Sequence, residues 1–146
     1  MAETIIQKSL GDALAPRYKS YAQETLEERA IPDIRDGLKP VHLRILYCMY
    51  NDLNLTHNHK TIKSAKVTGA VLGSYHPHGS ASVYEAMIGL VQDWTMRYPL
   101  IELQGNPGNI DGDGPAADRY TECRLTRIGE ALMKDIEKGF VETRPN

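Results

Sequence analysis

The side chain best placed to do chemistry is Tyr120, which stands in Asp118-Arg119-Tyr120-Thr121-Glu122 directly after a stretch holding Gly105, Gly108, Gly112 and Gly114. A phenol with an ordinary pKa of about 10 is a weak nucleophile at neutral pH. A guanidinium beside it, here Arg119, favours the phenolate and neutralises charge on an attacked phosphate, so the pair suits formation of a phosphotyrosyl ester. The plainer alternative is a half-buried packing tyrosine. The second group consists of cations. From Leu53 to Val83 there is no Asp or Glu, while Lys60, Lys63, Lys66, His57, His59, His76 and His78 all fall inside. Such a window presents positive charge to phosphates, or is simply a solvated face.

Other chemistries fail on spacing. In IDGDGPAADRYTE, Asp111, Asp113 and Glu122 coincide with positions 1, 3 and 12 of a calcium loop, but Pro115 stands at position 5 and Ala116 where the sharp turn needs glycine. His57-x-His59 and His76-x-His78 each offer two imidazoles with no third ligand at a helpful spacing, so no metal site is expected. There is no GxxxxGK[ST], nor a GxGxxG after a strand, so the chain is not expected to bind ATP itself. Cys48 and Cys123 lie far apart without a CxxC, which suits free thiols in a reducing cytoplasm. With 17 Lys+Arg against 19 Asp+Glu, the net charge of −2 excludes a polybasic DNA coat. Apolar runs are short, and MAETIIQKSLGD lacks a basic start followed by an apolar block, so neither a membrane span nor an export signal is expected.

These groups must be positioned by secondary structure, and 146 residues at 41% hydrophobic and 25% charged fit one globular domain. A first helix is expected from Pro16 to Ala30, forming an arm that stops at Ile31-Pro32, because the residue before proline avoids helical backbone. Asp36-Gly37 marks a turn, and Pro40 opens a second helix to about Asn51 whose apolar stripe, Val41, Ile45, Cys48 and Met49, leaves His42 and Arg44 outside it. Residues 61–73 read as a helix aligning Ile62, Ala65 or Lys66, Gly69 and Leu72, with the glycines favouring close packing. After the sharp turn SYHPHG comes the helix SASVYEAMIGLVQDW, with Ser82 and Glu85 at capping-box spacing. Two short helices across a tight glycine-bearing turn outline a helix-turn-helix. RYPLIELQGN predicts a short strand and GNPGNIDGDGPAAD a flexible loop. Leu125, Ile128, Leu132 and Ile136 predict a closing helix, so Arg119 and Tyr120 lie where the loop enters a strand or a helix.

In order and spacing, RAIPDIRDGLKPVHLRILYCMY, KSAKVTGAVLGSYHPHGSASVYEAM and LIELQGNPGNIDGDGPAADRYTECRL resemble the breakage-reunion region of bacterial type IIA DNA topoisomerase A subunits, over nearly the whole chain. The SASVYEAM and RYPLIE segments resemble topoisomerase IV more than DNA gyrase. The resemblance implies an α+β, mainly helical protein: a winged-helix, CAP-like DNA-gate domain with a helix-turn-helix over residues 37–146, behind an N-terminal helical arm over 1–36. It implies that Tyr120 attacks a backbone phosphate and becomes joined to a DNA 5′ end, the strand being resealed by reversal. Arg119 would stabilise the transition state, Arg29 would reach toward the scissile phosphate, and His78 would complete the polar cluster. Lys39, His42, Arg44, His76 and His78 would hold DNA phosphates. The implied partners are double-stranded DNA, a second copy of the same subunit, and a B subunit with ATPase and Toprim regions. Magnesium and ATP would be supplied through that B subunit, none being bound by this chain, in the cytoplasm and away from membranes.

Two departures from the family pattern affect function. Ser80-Ala81 follow YHPHG where the family commonly has Asp-Ser, so the hydroxyl that anchors quinolone drugs through a water–metal bridge is replaced at Ala81, while Glu85 keeps the acidic partner. The sequence ends at ETRPN, where the family's A subunits continue into the rest of the DNA gate, a tower, a coiled coil and a DNA-wrapping domain. The isolated chain is therefore expected to be inactive. The rival reading is a non-catalytic DNA-binding or topoisomerase-regulating fragment.

Overall fold

A computed structural model describes residues 9–139, and the chain divides into two units, one ending at Pro40 and the other beginning at Val41. In the first unit, helix α1 (Leu10–Thr25) starts after Ser9, whose hydroxyl oxygen accepts the Asp12 N–H at 3.1 Å. The arm helix therefore begins before Pro16, which sits inside it; the cap and the acidic first turn stabilise a start that offsets the bond proline cannot make. A π-helical turn (Leu26–Ala30) follows and gives way to extended backbone at Ile31. No residue of α1 is buried.

The second unit holds the core. Helix α2 (Pro40–Tyr47) runs into a π-helical turn (Cys48–Asp52), and together they bury Ile45, Leu46, Cys48 and Met49. Next come β1 (Ile62–Lys63), α3 (Ser64–Ser74), α4 (Ser80–Gly89), β2 (Ile101–Gln104), β3 (Glu122–Leu125), α5 (Arg127–Met133) and a 3-10 turn (Ile136–Lys138). The three strands form one antiparallel sheet in the order β1-β3-β2, with Cys123 at its centre facing Ile62 on one side and Leu103 on the other. The architecture is α+β: helices around a small antiparallel sheet.

Several elements differ from the sequence-based expectation. Ile62 and Lys63 pair with β3 and are not the start of a helix. The buried face of α3 is Ser64, Val67, Thr68 and Val71. Gly69 and Gly73 look into open space, so they mediate no close packing. Helix α4 begins at Ser80 with Gly79 before it, and the Ser82 hydroxyl donates to the Gly79 carbonyl at 2.7 Å, so no capping box with Glu85 forms. It also ends at Gly89, well short of Trp94. Leu125 belongs to β3, while Ile128 and Leu132 on α5 are exposed. The reason is that α5 turns Gly129 and Met133 inward: a Cβ on Gly129 would fall 2.1 Å from the Leu100 carbonyl oxygen, and Met133 is buried.

Candidate active site

Tyr120 is 68% exposed on the turn two residues before β3, whereas Thr121, directly before the strand, is fully buried. The Arg119 guanidinium lies 4.7 Å from the centre of the Tyr120 ring, a cation–π contact that keeps a positive charge beside the phenol on the open surface. Both residues sit on a turn, with Tyr120 N–H donating to the Ala117 carbonyl at 2.8 Å. That turn is fastened to the start of α3: Ser64 N–H donates to the Thr121 carbonyl at 3.0 Å and Ala65 N–H to the Asp118 carbonyl at 3.2 Å. The first N–H groups of a helix have no partner inside it, so here the main chain around the tyrosine supplies the missing acceptors.

The preceding loop is built rather than slack. Gly108 has φ +88°, and a Cβ there would lie 2.6 Å from the Asp113 carbonyl oxygen. Asn109 clamps the same place, donating its amide to the Asp113 carboxylate at 2.6 Å and accepting the Asp113 N–H at 2.9 Å. The Asp113 carboxylate thus serves the loop, and among the described residues no group of three His, Cys, Asp or Glu side chains is arranged to hold a metal ion.

At the other end of α3, the turn to α4 presents His76, Pro77 and His78. His76 is 7% exposed, whereas His78 is exposed, and their rings stack at 4.4 Å. Arg44 on α2 places a guanidinium nitrogen 2.8 Å from His76 Nδ1. A guanidinium only donates, so Nδ1 accepts and the ring hydrogen resides on Nε2. Arg44 therefore braces the histidine turn with one of its guanidinium nitrogens. Ala81 and Glu85 lie one turn apart on the exposed face of α4. Arg29 and Lys39 are exposed in the first unit, and His42 is half-buried on α2. His57 and His59 are engaged elsewhere, His57 Nδ1 with Glu130 at 2.6 Å and His59 Nδ1 with the Thr56 hydroxyl at 2.7 Å.

Both cysteines are free and buried, and desolvation pushes the Cys48 thiol up to about 12 and the Cys123 thiol up to about 11, which makes them inert packing groups. Sequence reasoning passed over Ser64, Tyr84 and Thr121, which lie behind the tyrosine turn.

Residues 29–146 match the family model that describes the A subunit of DNA gyrase and topoisomerase IV. Over all 146 residues the chain is 55% identical to the A subunit of DNA gyrase from Thermotoga maritima and 53% identical to the A subunit of DNA topoisomerase 4 from Staphylococcus aureus strain NCTC 8325. It covers 18% of the length of each. The chain belongs to the family of DNA gyrase and topoisomerase IV A subunits. Among the described residues, no helix is long and apolar enough to cross a membrane.

Proposed function

We propose that this chain is the strand-cleaving segment of a type IIA topoisomerase A subunit, which changes DNA topology by transient breakage and rejoining. The observation that carries the reading is the exposed Tyr120, with the Arg119 guanidinium against its ring, in a chain of this family. The Tyr120 oxygen attacks a backbone phosphorus as the phenol proton passes to solvent, and the P–O3′ bond breaks, the leaving 3′ oxygen taking a proton from solvent to become a 3′ hydroxyl. The new 5′-phosphotyrosyl bond conserves the ester for the reverse attack by the 3′ hydroxyl. Arg119 offsets charge on the phosphoryl oxygens in the transition state.

The antiparallel sheet β1-β3-β2 and the pair α3–α4 support a winged-helix, CAP-like arrangement with a helix-turn-helix over residues 37–146 behind an arm over 1–36. On the outer face of α3, Lys66 is exposed beside Gly69 and Gly73, which carry no side chain to hold a duplex away. His42, Arg44 and His78 are proposed phosphate contacts, with the buried His76 acting through Arg44 and the turn. Arg29 and Lys39 are proposed DNA contacts of the first unit. Ala81 and Glu85 form the equivalent of the drug-contacting face. Magnesium and ATP are proposed to be supplied through a B subunit. A second copy of the same subunit, double-stranded DNA and a cytoplasmic setting complete the proposal.

The test is a DNA-cleavage assay with magnesium on the full-length protein carrying this segment, assembled with its B subunit. Tyr120→Phe should abolish the covalent adduct to the DNA 5′ end while leaving DNA affinity intact, since only the attacking oxygen is lost. An adduct that survives the substitution would assign the nucleophile elsewhere. If the unmutated complex binds DNA but never forms an adduct, the segment is a binding or regulatory module.

A further inference from the structure

The buried polar side chains of the second unit gather almost entirely behind the tyrosine turn. Ser64, Thr68, His76 and Thr121 are the buried polar residues among those described, and all but His76 lie between the start of α3 and the turn that holds Tyr120. Thr121, fully buried, has its hydroxyl 2.8 Å from Ser64 Oγ and 3.1 Å from the Tyr84 hydroxyl of α4. Tyr84 in turn donates to the Ala116 carbonyl, and Thr68 donates to the Asp118 carboxylate at 3.3 Å. The Thr121 methyl group packs on the other side, against Gly105 at the end of β2.

A hydroxyl taken out of water stabilises nothing unless its bonds are remade, and a valine of the same shape would fill this space without that cost. The hydroxyl at position 121 nevertheless touches both helices of the α3–α4 pair, one residue from the nucleophile. We propose that Thr121 is a positioning residue for Tyr120: its hydroxyl, shared between Ser64 at the start of α3 and Tyr84 on α4, fixes the end of the tyrosine turn where it enters β3. The direction of the Tyr120 oxygen is thereby referred to the α3–α4 pair, which carries Lys66 on α3 and His76 and His78 in the connecting turn. This rests on Tyr120 being the nucleophile. It deepens that reading by naming what aims the oxygen.

The experiment uses the same complete complex, with magnesium and the B subunit present, and reads adduct formation in a single turnover at saturating DNA, DNA affinity and thermal stability. Thr121→Val keeps the shape and removes the hydroxyl. It should slow adduct formation by roughly ten- to a hundredfold, the scale of a displaced reacting group, with affinity preserved and the melting temperature lowered only modestly by the partner Ser64 loses. Thr121→Ser, which restores the hydroxyl, should recover most of the rate. Tyr84→Phe, which keeps the ring, should slow the same step less and serves as the second probe should the valine form fail to fold. A parent-like rate in folded Thr121→Val, or in Tyr84→Phe where the valine form does not fold, overturns the proposal, as does a loss that the serine form does not repair. Tyr120→Phe in parallel separates the two ideas, because an adduct there removes the nucleophile reading itself.

Discussion

The two ends of α3 are held in opposite ways. At its N-terminus, the main chain of the tyrosine turn receives the Ser64 and Ala65 N–H groups, and the side chains involved are small buried hydroxyls. At its C-terminus, large side chains do the holding: Arg44 reaches His76, Tyr75 donates its hydroxyl to Asp52 at 2.6 Å, and Tyr47 meets the Tyr75 ring edge-on at 5.6 Å. The Asp52 hydrogen bond, followed by burial, raises the Tyr75 phenol well above its ordinary value, which keeps it a donor. Main-chain attachment fixes a position whatever decorates it, so the proposed nucleophile Tyr120 is carried by the end that depends least on exposed side chains. The histidine turn depends on particular residues, and its exposed member, His78, is free to answer to a ligand.

This contrast predicts effects of graded size. Arg119→Ala leaves the main-chain fastening untouched and removes only the charge at the phenol, so cleavage in the complete complex should fall by about a hundred- to a thousandfold while binding survives. A matching collapse of DNA affinity would show that Arg119 binds rather than stabilises the transition state. Gly105→Ala attacks the fastening from behind: Gly105 sits at φ +135°, and its Cβ would fall 2.8 Å from the Thr121 methyl. Strain of about 1–3 kcal/mol is expected from the backbone alone, visible as a lower melting temperature, and cleavage should slow along with it. Stability and cleavage unchanged together would mean that Thr121 yields at no cost.

At the opposite end, Arg44→Ala removes the donor to a buried imidazole nitrogen, which should cost about 1–3 kcal/mol in chemical denaturation. DNA affinity should drop as well, since the histidine turn loses its brace. Thr121→Val, by contrast, should spare affinity. If Arg44→Ala also spares affinity, the turn is not part of the DNA-contacting face.

What could be read without coordinates follows the same division. Side-chain signals were legible where neighbours in sequence stay neighbours in space: the contact of Arg119 with Tyr120, and the buried stripe of Ile45, Cys48 and Met49 along α2 and the π-helical turn after it. Main-chain attachments were not, because carbonyls and N–H groups carry no residue identity. A two-residue β1 is too short to show alternation. Helical spacing at Ile128 and Leu132 misled because α5 approaches the sheet through Gly129, where the absence of a side chain is the signal. Ser82 and Glu85 have the spacing of a capping box, yet Gly79 precedes the helix and takes that place. The hydroxyls of Ser64, Tyr84 and Thr121 come from three elements far apart in sequence, so no periodicity joins them.

The smallest effect is expected at the outer layer of the N-terminal end, where Lys63 Nζ meets Glu122 at 3.0 Å and the Thr61 hydroxyl donates to the same carboxylate at 2.9 Å. The Lys63 bond first, and the Thr61 bond next, hold Glu122 below the ordinary value of 4.5. A carboxyl whose pKa is depressed by folding adds stability above its unfolded value and loses it as pH falls through the folded one. The parent should therefore exceed Glu122→Gln in melting temperature at neutral pH, and the gap should close as the solution is acidified below that value. Both side chains are substantially exposed, so solvent and salt screen the pair, and added salt should shrink the gap even at neutral pH. Such a result fits an end of α3 whose position is set by main chain and buried hydroxyls. Should Glu122→Gln destabilise the protein as much as Arg44→Ala does, then exposed charges hold both ends alike, and the contrast between them fails.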